Sequence, residues 1–212
     1  MQIKYISSSE LQDFENHPLV VEGALVVMPF INASQAQQAC ELMSSRAAAK
    51  GFILAVHDDG KLGFIAIVNT VFKQSKSPYF GYVAQDAFAG RQWLKLAIEA
   101  LGETKSFLGF NDGKWAGALA GFGLAKRVWA QNNYAGNFFH PGYQRHFADA
   151  ELTLLALQAG LYAYDANSVL VEVDWDKDST SVHPTDRALF AQRKSARFDG
   201  RISSQPLLDL FS

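Results

Sequence analysis

The sequence predicts an α/β fold, a mostly parallel central sheet flanked by helices. Three observations carry this. Short apolar runs at Ala24–Ile31, Phe52–Val56 and Tyr79–Ala84 have the length of buried strands. Apolar residues recur at helical spacing between those runs. The resulting order, strand–helix–strand–helix–strand, is what right-handed parallel crossovers require.

The elements follow in chain order. Ser7-Ser8-Ser9-Glu10 holds a Ser-x-x-Glu capping pattern and opens a short helix. Ala24–Ile31 (ALVVMPFI) is a continuous apolar run closed by Asn32. Ser34 and Gln37 form a second capping pattern, which predicts a helix to about Lys50 with Gly51 ending it. After Phe52–Val56 comes His57-Asp58-Asp59-Gly60, where two readings compete. Asp-Gly between apolar runs signals a hairpin. Phe64, Ile67, Val68, Val71 and Phe72 fall on one helical face, and this pattern, sustained over nearly three turns, favours a loop and then a helix. Ser77 and Pro78 stop that helix before the strand Tyr79–Ala84.

Gly90–Leu101 reads as a helix burying Trp93, Leu94, Ala97, Ile98 and Leu101. Lys105–Phe110 reads as a strand, Asn111-Asp112-Gly113 as a turn, and Leu124–Gln131 as a short helix. Asn132–Phe147 is aromatic, polar and irregular. Asp149 stands where a helix N-cap would be, ahead of Leu152, Leu155, Ala156 and Ala159, and Gly160 ends that helix. Alternation from Val169 to Trp175 predicts a half-exposed strand. Thr185–Arg201 carries five basic residues against two acidic ones and reads as a basic helix and tail. These boundaries give a single domain over residues 1–175 and a basic C-terminal segment over 176–212, packed on the domain or extending from it.

Composition narrows the functional classes. The chain has 212 residues, nearly half of them apolar, and a net charge of −2, which leaves no general nucleic-acid footprint. Cys40 is the only cysteine, so neither an internal disulfide nor a cysteine zinc site is available, and a reducing cytoplasm is the expected setting. The N-terminal residues lack a signal-peptide core. The longest apolar stretch, Trp115–Ala125, is about half of the roughly 20 residues a membrane helix needs. The expectation is a chain without a transmembrane segment, cytoplasmic or peripheral at the inner membrane face, where the basic tail would meet anionic lipid.

In parallel sheets ligands bind beyond the C-terminal strand ends. There the sequence places Asn32, then Asp58 and Asp59, then Gln85 and Asp86. Three successive strands thus deliver polar or acidic residues to one edge.

Four stretches in this order resemble the family-two glycosyltransferases of GT-A fold in a shortened form. They are Val26-Val27-Met28-Pro29, then Val56-His57-Asp58-Asp59-Gly60, then Gly63 through Asn69 to Tyr82-Val83-Ala84-Gln85-Asp86 and Trp93-Leu94, and last His146-Phe147-Ala148-Asp149-Ala150-Glu151-Leu152. The likeness covers about residues 24–175. It departs from the family at Ala84 and Gln85, where further acids are common, and at Ala148, where a Glu is usual.

The resemblance implies a GT-A-like, Rossmann-related fold and a nucleotide-sugar-dependent transferase. A monosaccharide would move from a nucleotide diphosphate sugar to a glycan or lipid-linked acceptor, by inversion, in surface polysaccharide assembly. Breaking the bond to a diphosphate develops negative charge that Mn2+ or Mg2+ can neutralise, and Asp86 is the metal candidate. Its ordinary alternative is a cap on the loop before Gly90. His183 is a second metal candidate, in the place of a family histidine. The donor side would comprise Pro29, Asn32, Asp58, Asp59, Asn69, Gln85 and Asp86, although Asp58 and Asp59 also suit a plain turn. Lys73 would more ordinarily face solvent than phosphate. Asp149 is the candidate base that takes the acceptor hydroxyl's proton, its alternative being the N-cap role. Trp115, His140, Tyr143 and Glu151 are acceptor-side candidates, the aromatics because rings stack on sugar faces. A degenerate relative that binds a nucleotide or glycan without turnover is the competing reading.

Overall fold

The computed structural model describes residues 1–173 and 182–211. The strands are β1 (Gln2–Ser7), β2 (Leu19–Val20), β3 (Ala24–Phe30), β4 (Gly51–His57), β5 (Ser75–Lys76), β6 (Tyr79–Tyr82), β7 (Ala87–Ala89), β8 (Phe107–Asn111), β9 (Gly123–Lys126) and β10 (Tyr162–Glu172). The helices are α1 (Ala33–Arg46), α2 (Phe64–Lys73), α3 (Trp93–Leu101), α4 (Arg127–Ala130), α5 (Ala148–Gln158), α6 (Pro184–Ser195), α7 (Arg197–Gly200) and α8 (Gln205–Asp209).

Eight strands form one sheet in the order β1-β4-β3-β6-β9-β8-β10-β7, and β2 pairs with β5 alone. Neighbours from β1 through β6 are parallel, as are β8 and β10. Among the described residues, β9 and β7 alone run against the rest. The parallel half follows from the sequence pattern, since β3 is buried along its whole length as a strand covered on both faces must be. Alternate residues enter opposite layers. Leu25 and Val27 join Leu54, Val56, α2 and α5 on one side, and Val26 and Met28 join Ile53, Ala55, α1 and α3 on the other.

Several boundaries move from the sequence expectation for identifiable reasons. The loop-and-helix reading after Gly60 holds, with α2 at Phe64–Lys73. The helix opens two residues before the Ser34 capping pattern, because Asn32 accepts from the Gln35 N–H and caps α1, while Gly51 begins β4 rather than ending a helix. Leu124–Gln131 is not one helix. Gly123–Lys126 is a strand wedged antiparallel between β6 and β8, and only Arg127–Ala130 is helical. The N-terminal strand β1, not read from the sequence, adds to the β4 edge just before the expected Ser7 capping box. The half-exposed strand starts earlier than expected, at Tyr162, and breaks register between Tyr164 and Val169. Its expected end at Trp175 and the 175/176 domain boundary lie outside the described residues.

The basic C-terminal helices contribute to the main core. Phe190, Phe198, Ile202 and Leu208 pack in the same cluster as α2 and α5. A buried ion pair ties α6 to α5, with Arg193 Nε and Nη2 each donating to Glu151 at 2.7 Å.

Candidate active site

The C-terminal ends of β4, β3 and β6 lie side by side, so the polar residues that follow them share one edge. Their side chains mostly hold that edge together. Gln85 Oε1 accepts from the Ile31 and Asn32 N–H groups at 2.8 and 2.9 Å, and its amide donates to Gln35. Asp58 accepts from the Leu62 and Gly63 N–H groups at 2.7 and 2.9 Å, which closes the loop into α2. Asp59 accepts from the Ser8 and Ser7 hydroxyls at 2.7 Å each, and these bonds lower its carboxyl to about 2. Pro29 is buried within β3. Asn69 is also buried, its amide bonded in both directions to the Phe139 backbone.

Asp86 follows β6 and lines a cleft of about 340 Å³ with Gln35, Gln38, Gln85, Phe88 and Val173. Its carbonyl accepts from the Val173 N–H at 3.1 Å, which pins the loop to the end of β10.

Asp149 lines a second and larger cleft of about 840 Å³, together with Asp112, Trp115 and Glu172. The two clefts share no lining residue, Glu172 at the end of β10 belonging to this one and the next residue, Val173, to the Asp86 cleft. Asp149 is not the N-cap of α5. Phe147 occupies that place with φ 68°, and Asp149 sits in the first turn. Burial drives its carboxyl from 3.8 up to about 6. The Ala150 N–H it accepts at 2.9 Å pulls the other way, and the charges of Asp112 and Glu172 add to the rise.

Asp112 caps the turn after β8 by accepting from the Lys114 and Trp115 N–H groups, both at 2.9 Å. Glu172 pairs with Lys114. Gly117 in the following glycine-rich stretch has φ +84°, and a Cβ there would meet Tyr164 Cγ at 2.5 Å, so glycine lets this stretch close over β10.

The acceptor-side candidates divide. Trp115 is about half exposed and lines the Asp149 cleft. Glu151, Tyr143 and His140 line neither cleft, which corrects the expectation that they border an acceptor. Glu151 is fully buried and accepts from the Tyr134 and Tyr143 hydroxyls at 3.0 and 2.8 Å as well as from Arg193. His140 packs edge-on to Tyr134 and Tyr143, and burial, then Arg193, lowers its imidazole. His183 lies at the start of α6, its Nδ1 4.0 Å from Asp186 and its N–H on His146, away from the Asp86 cleft. Among the described residues no three His, Cys, Asp or Glu side chains gather as metal ligands.

Sequence reasoning missed Asp112, Glu172, Arg145 and Arg187 as lining of the Asp149 cleft. The strand-end rule applied to β8 and β10 would have found the two acids. Nothing local marks the two arginines.

No protein-family model and no curated protein matches the chain. Solved structures do. A mannosyltransferase from Pyrobaculum calidifontis, in complex with GDP-mannose and Mn2+, superposes with a TM-score of 0.59 at 14% identity over 95% of this chain and 74% of its own. The glucosyl-3-phosphoglycerate synthase of Mycobacterium tuberculosis, in complex with Mg2+ and UDP, superposes with a TM-score of 0.51 at 12% identity over 96% of this chain and 88% of its own. At such identity the likeness establishes architecture, and the mixed eight-stranded sheet with helices on both faces is the GT-A fold that these two structures carry.

Proposed function

We propose that the chain is a nucleotide-sugar-dependent glycosyltransferase in which Asp149 deprotonates the acceptor hydroxyl. The observation that carries this is Asp149 itself, a carboxyl raised to about 6 that lines a cleft with Asp112, Trp115 and Glu172. A base that ionises just below neutral pH is charged when needed and basic enough to take a proton. The fold shared with structures that hold GDP-mannose or UDP supports the same reading.

The donor would lie on the Asp86 side, along the edge framed by Asn32, Asp58 and Gln85. There Gln85 shapes the rim through its bonds to Ile31 and Asn32. A hard divalent cation is held by one or two carboxylates and by phosphate oxygens. Asp86, a single carboxylate lining its cleft beside Gln35, Gln38 and Gln85, fits that donor set. Bound Mn2+ or Mg2+ would neutralise charge on the departing diphosphate. On the other side Trp115 offers an exposed ring to a sugar face, and Asp149 takes the proton as the acceptor oxygen attacks the anomeric carbon. Attack from the face opposite the leaving diphosphate gives inversion. The acceptor would be a glycan or lipid-linked saccharide of a surface polysaccharide, assembled at the inner membrane face. No helix among the described residues is long and apolar enough to cross a membrane.

Replacing Asp149 with Asn is expected to lower transfer at least about 100-fold while nucleoside diphosphate affinity changes less than about twofold. Release of nucleoside diphosphate from a panel of donors and acceptors measures it, and full activity in the variant rejects the role. The degenerate-module reading is favoured by one observation, that Gln85 spends its amide on Ile31, Asn32 and Gln35. Donor binding without nucleotide release by the wild type would establish that reading instead.

A further inference from the structure

The Asp149 cleft is divided by charge. Its acids come from the ends of β8 and β10 and from the first turn of α5, while Arg145, just ahead of α5, and Arg187 and Lys194, on α6, also line it. Arg187, Phe190, Ala191 and Lys194 are spaced i, i+3, i+4, i+7, so one face of α6 forms a cleft wall with a cation at each end.

The acids are already engaged, Glu172 by Lys114 and Asp112 by two backbone N–H groups. Among the described residues the Arg145 and Arg187 guanidinium groups make no hydrogen bond and no ion pair. The backbone that carries both arginines is nonetheless fixed. Asp186, fully buried and next to Arg187, accepts from the N–H groups of Gln144, Arg145 and His146 at 2.9, 2.8 and 2.9 Å. This locks the loop that carries Arg145 to the helix that carries Arg187. Two guanidinium groups lining a cleft with apolar Phe147, Phe190 and Phe122 suit an oxyanion.

We infer that the acceptor carries a phosphate or carboxylate group, which Arg145 and Arg187 bind while its hydroxyl lies at Asp149. The inference rests on the transferase reading for the word acceptor. The anion site itself rests on the cleft.

The test is binding of glucose 6-phosphate, glucuronate and glucose, by calorimetry, with nucleoside diphosphate and Mn2+ present in excess. At least one anionic sugar is expected to bind 10-fold or more tighter than glucose, and the tighter of the two identifies phosphate or carboxylate. The double variant Arg145→Gln/Arg187→Gln should lose that preference while its melting temperature and nucleoside diphosphate affinity stay near wild type. Arg187→Lys should retain part of it. Equal or absent binding of all three sugars overturns the inference, as does a preference that survives in the double variant. Displacement of the nucleotide by the anionic sugar, or an equal loss of nucleotide binding in the variant, also overturns it, because the arginines would then serve the donor. Failure of the wild type to bind any nucleoside diphosphate counts against the transferase reading alone, and the sugar preference is then measured without nucleotide.

Discussion

Asp149 occupies the first turn of α5, where helix-terminal N–H groups ordinarily favour a negative charge. Burial outweighs that, with Asp112 and Glu172 adding to it, and the carboxyl rises from 3.8 to about 6. Two consequences have opposite signs with pH. Transfer requires the ionised form, so the rate should climb as pH rises through about 6 and level off above it, which a pH–rate profile measures. Stability should run the other way. Between about 4 and 6 the folded state holds a proton that the unfolded chain has lost, so stability contributed here is complete below about 4 and is lost as pH rises through 6. The Asn variant cannot ionise. Its melting temperature should exceed that of the wild type at pH 7.5, and the gap should close near pH 4. A wild type that is the more stable at pH 7.5 contradicts the buried-carboxyl account. At Asp59 the sign is reversed, since a carboxyl held at about 2 by Ser8 and Ser7 stabilises the fold above the unfolded value and loses that as pH falls through about 2.

Within α5 the role of each acid follows from its angle on the helix. Residues two apart point about 200° away from each other. With Asp149 facing the cleft, Glu151 must face the core, where Arg193, Tyr134 and Tyr143 meet it. Residue type made both acids site candidates, and only the helix phase set by packing separates them. The pair also fastens α6, and with it Arg187, Phe190 and Lys194, to the cleft. Removing one member of a buried pair strands the other charge. Arg193→Ala should therefore cost about 3–5 kcal/mol in urea unfolding, and a loss under about 1 kcal/mol would show the pair to be unimportant. The helix α2 illustrates the reverse case. Its apolar period was legible locally and decided correctly against the Asp-Gly hairpin, because nearly three turns of pattern outweigh one turn signal.

Across the whole molecule, the order of strands decides which acids can act together. Asp86 and Asp149 line separate clefts, and Asp59 is bound to Ser7 and Ser8 at the β1 edge of the sheet. A single rim joining all three, as strand-end reasoning suggests, is thus not what forms. Asp86→Ala is expected to weaken Mn2+-dependent nucleoside diphosphate binding about 10-fold or more, with binding in chelator little changed. Titrations that are identical with and without Mn2+ would remove Asp86 from the metal role. The sequence by itself determined the α/β class, the parallel half of the sheet and the arrival of Asn32, Asp58 and Gln85 at one edge, because those features follow from residue periodicity and from punctuation within a few residues. Tertiary structure alone decided that β9 runs antiparallel, that Glu151 is buried on Arg193 and that Arg145 and Arg187 share the cleft of Asp149. Those pairings join residues 14 to 47 positions apart, and their geometry is set by which packed arrangement buries the common core rather than by any local pattern.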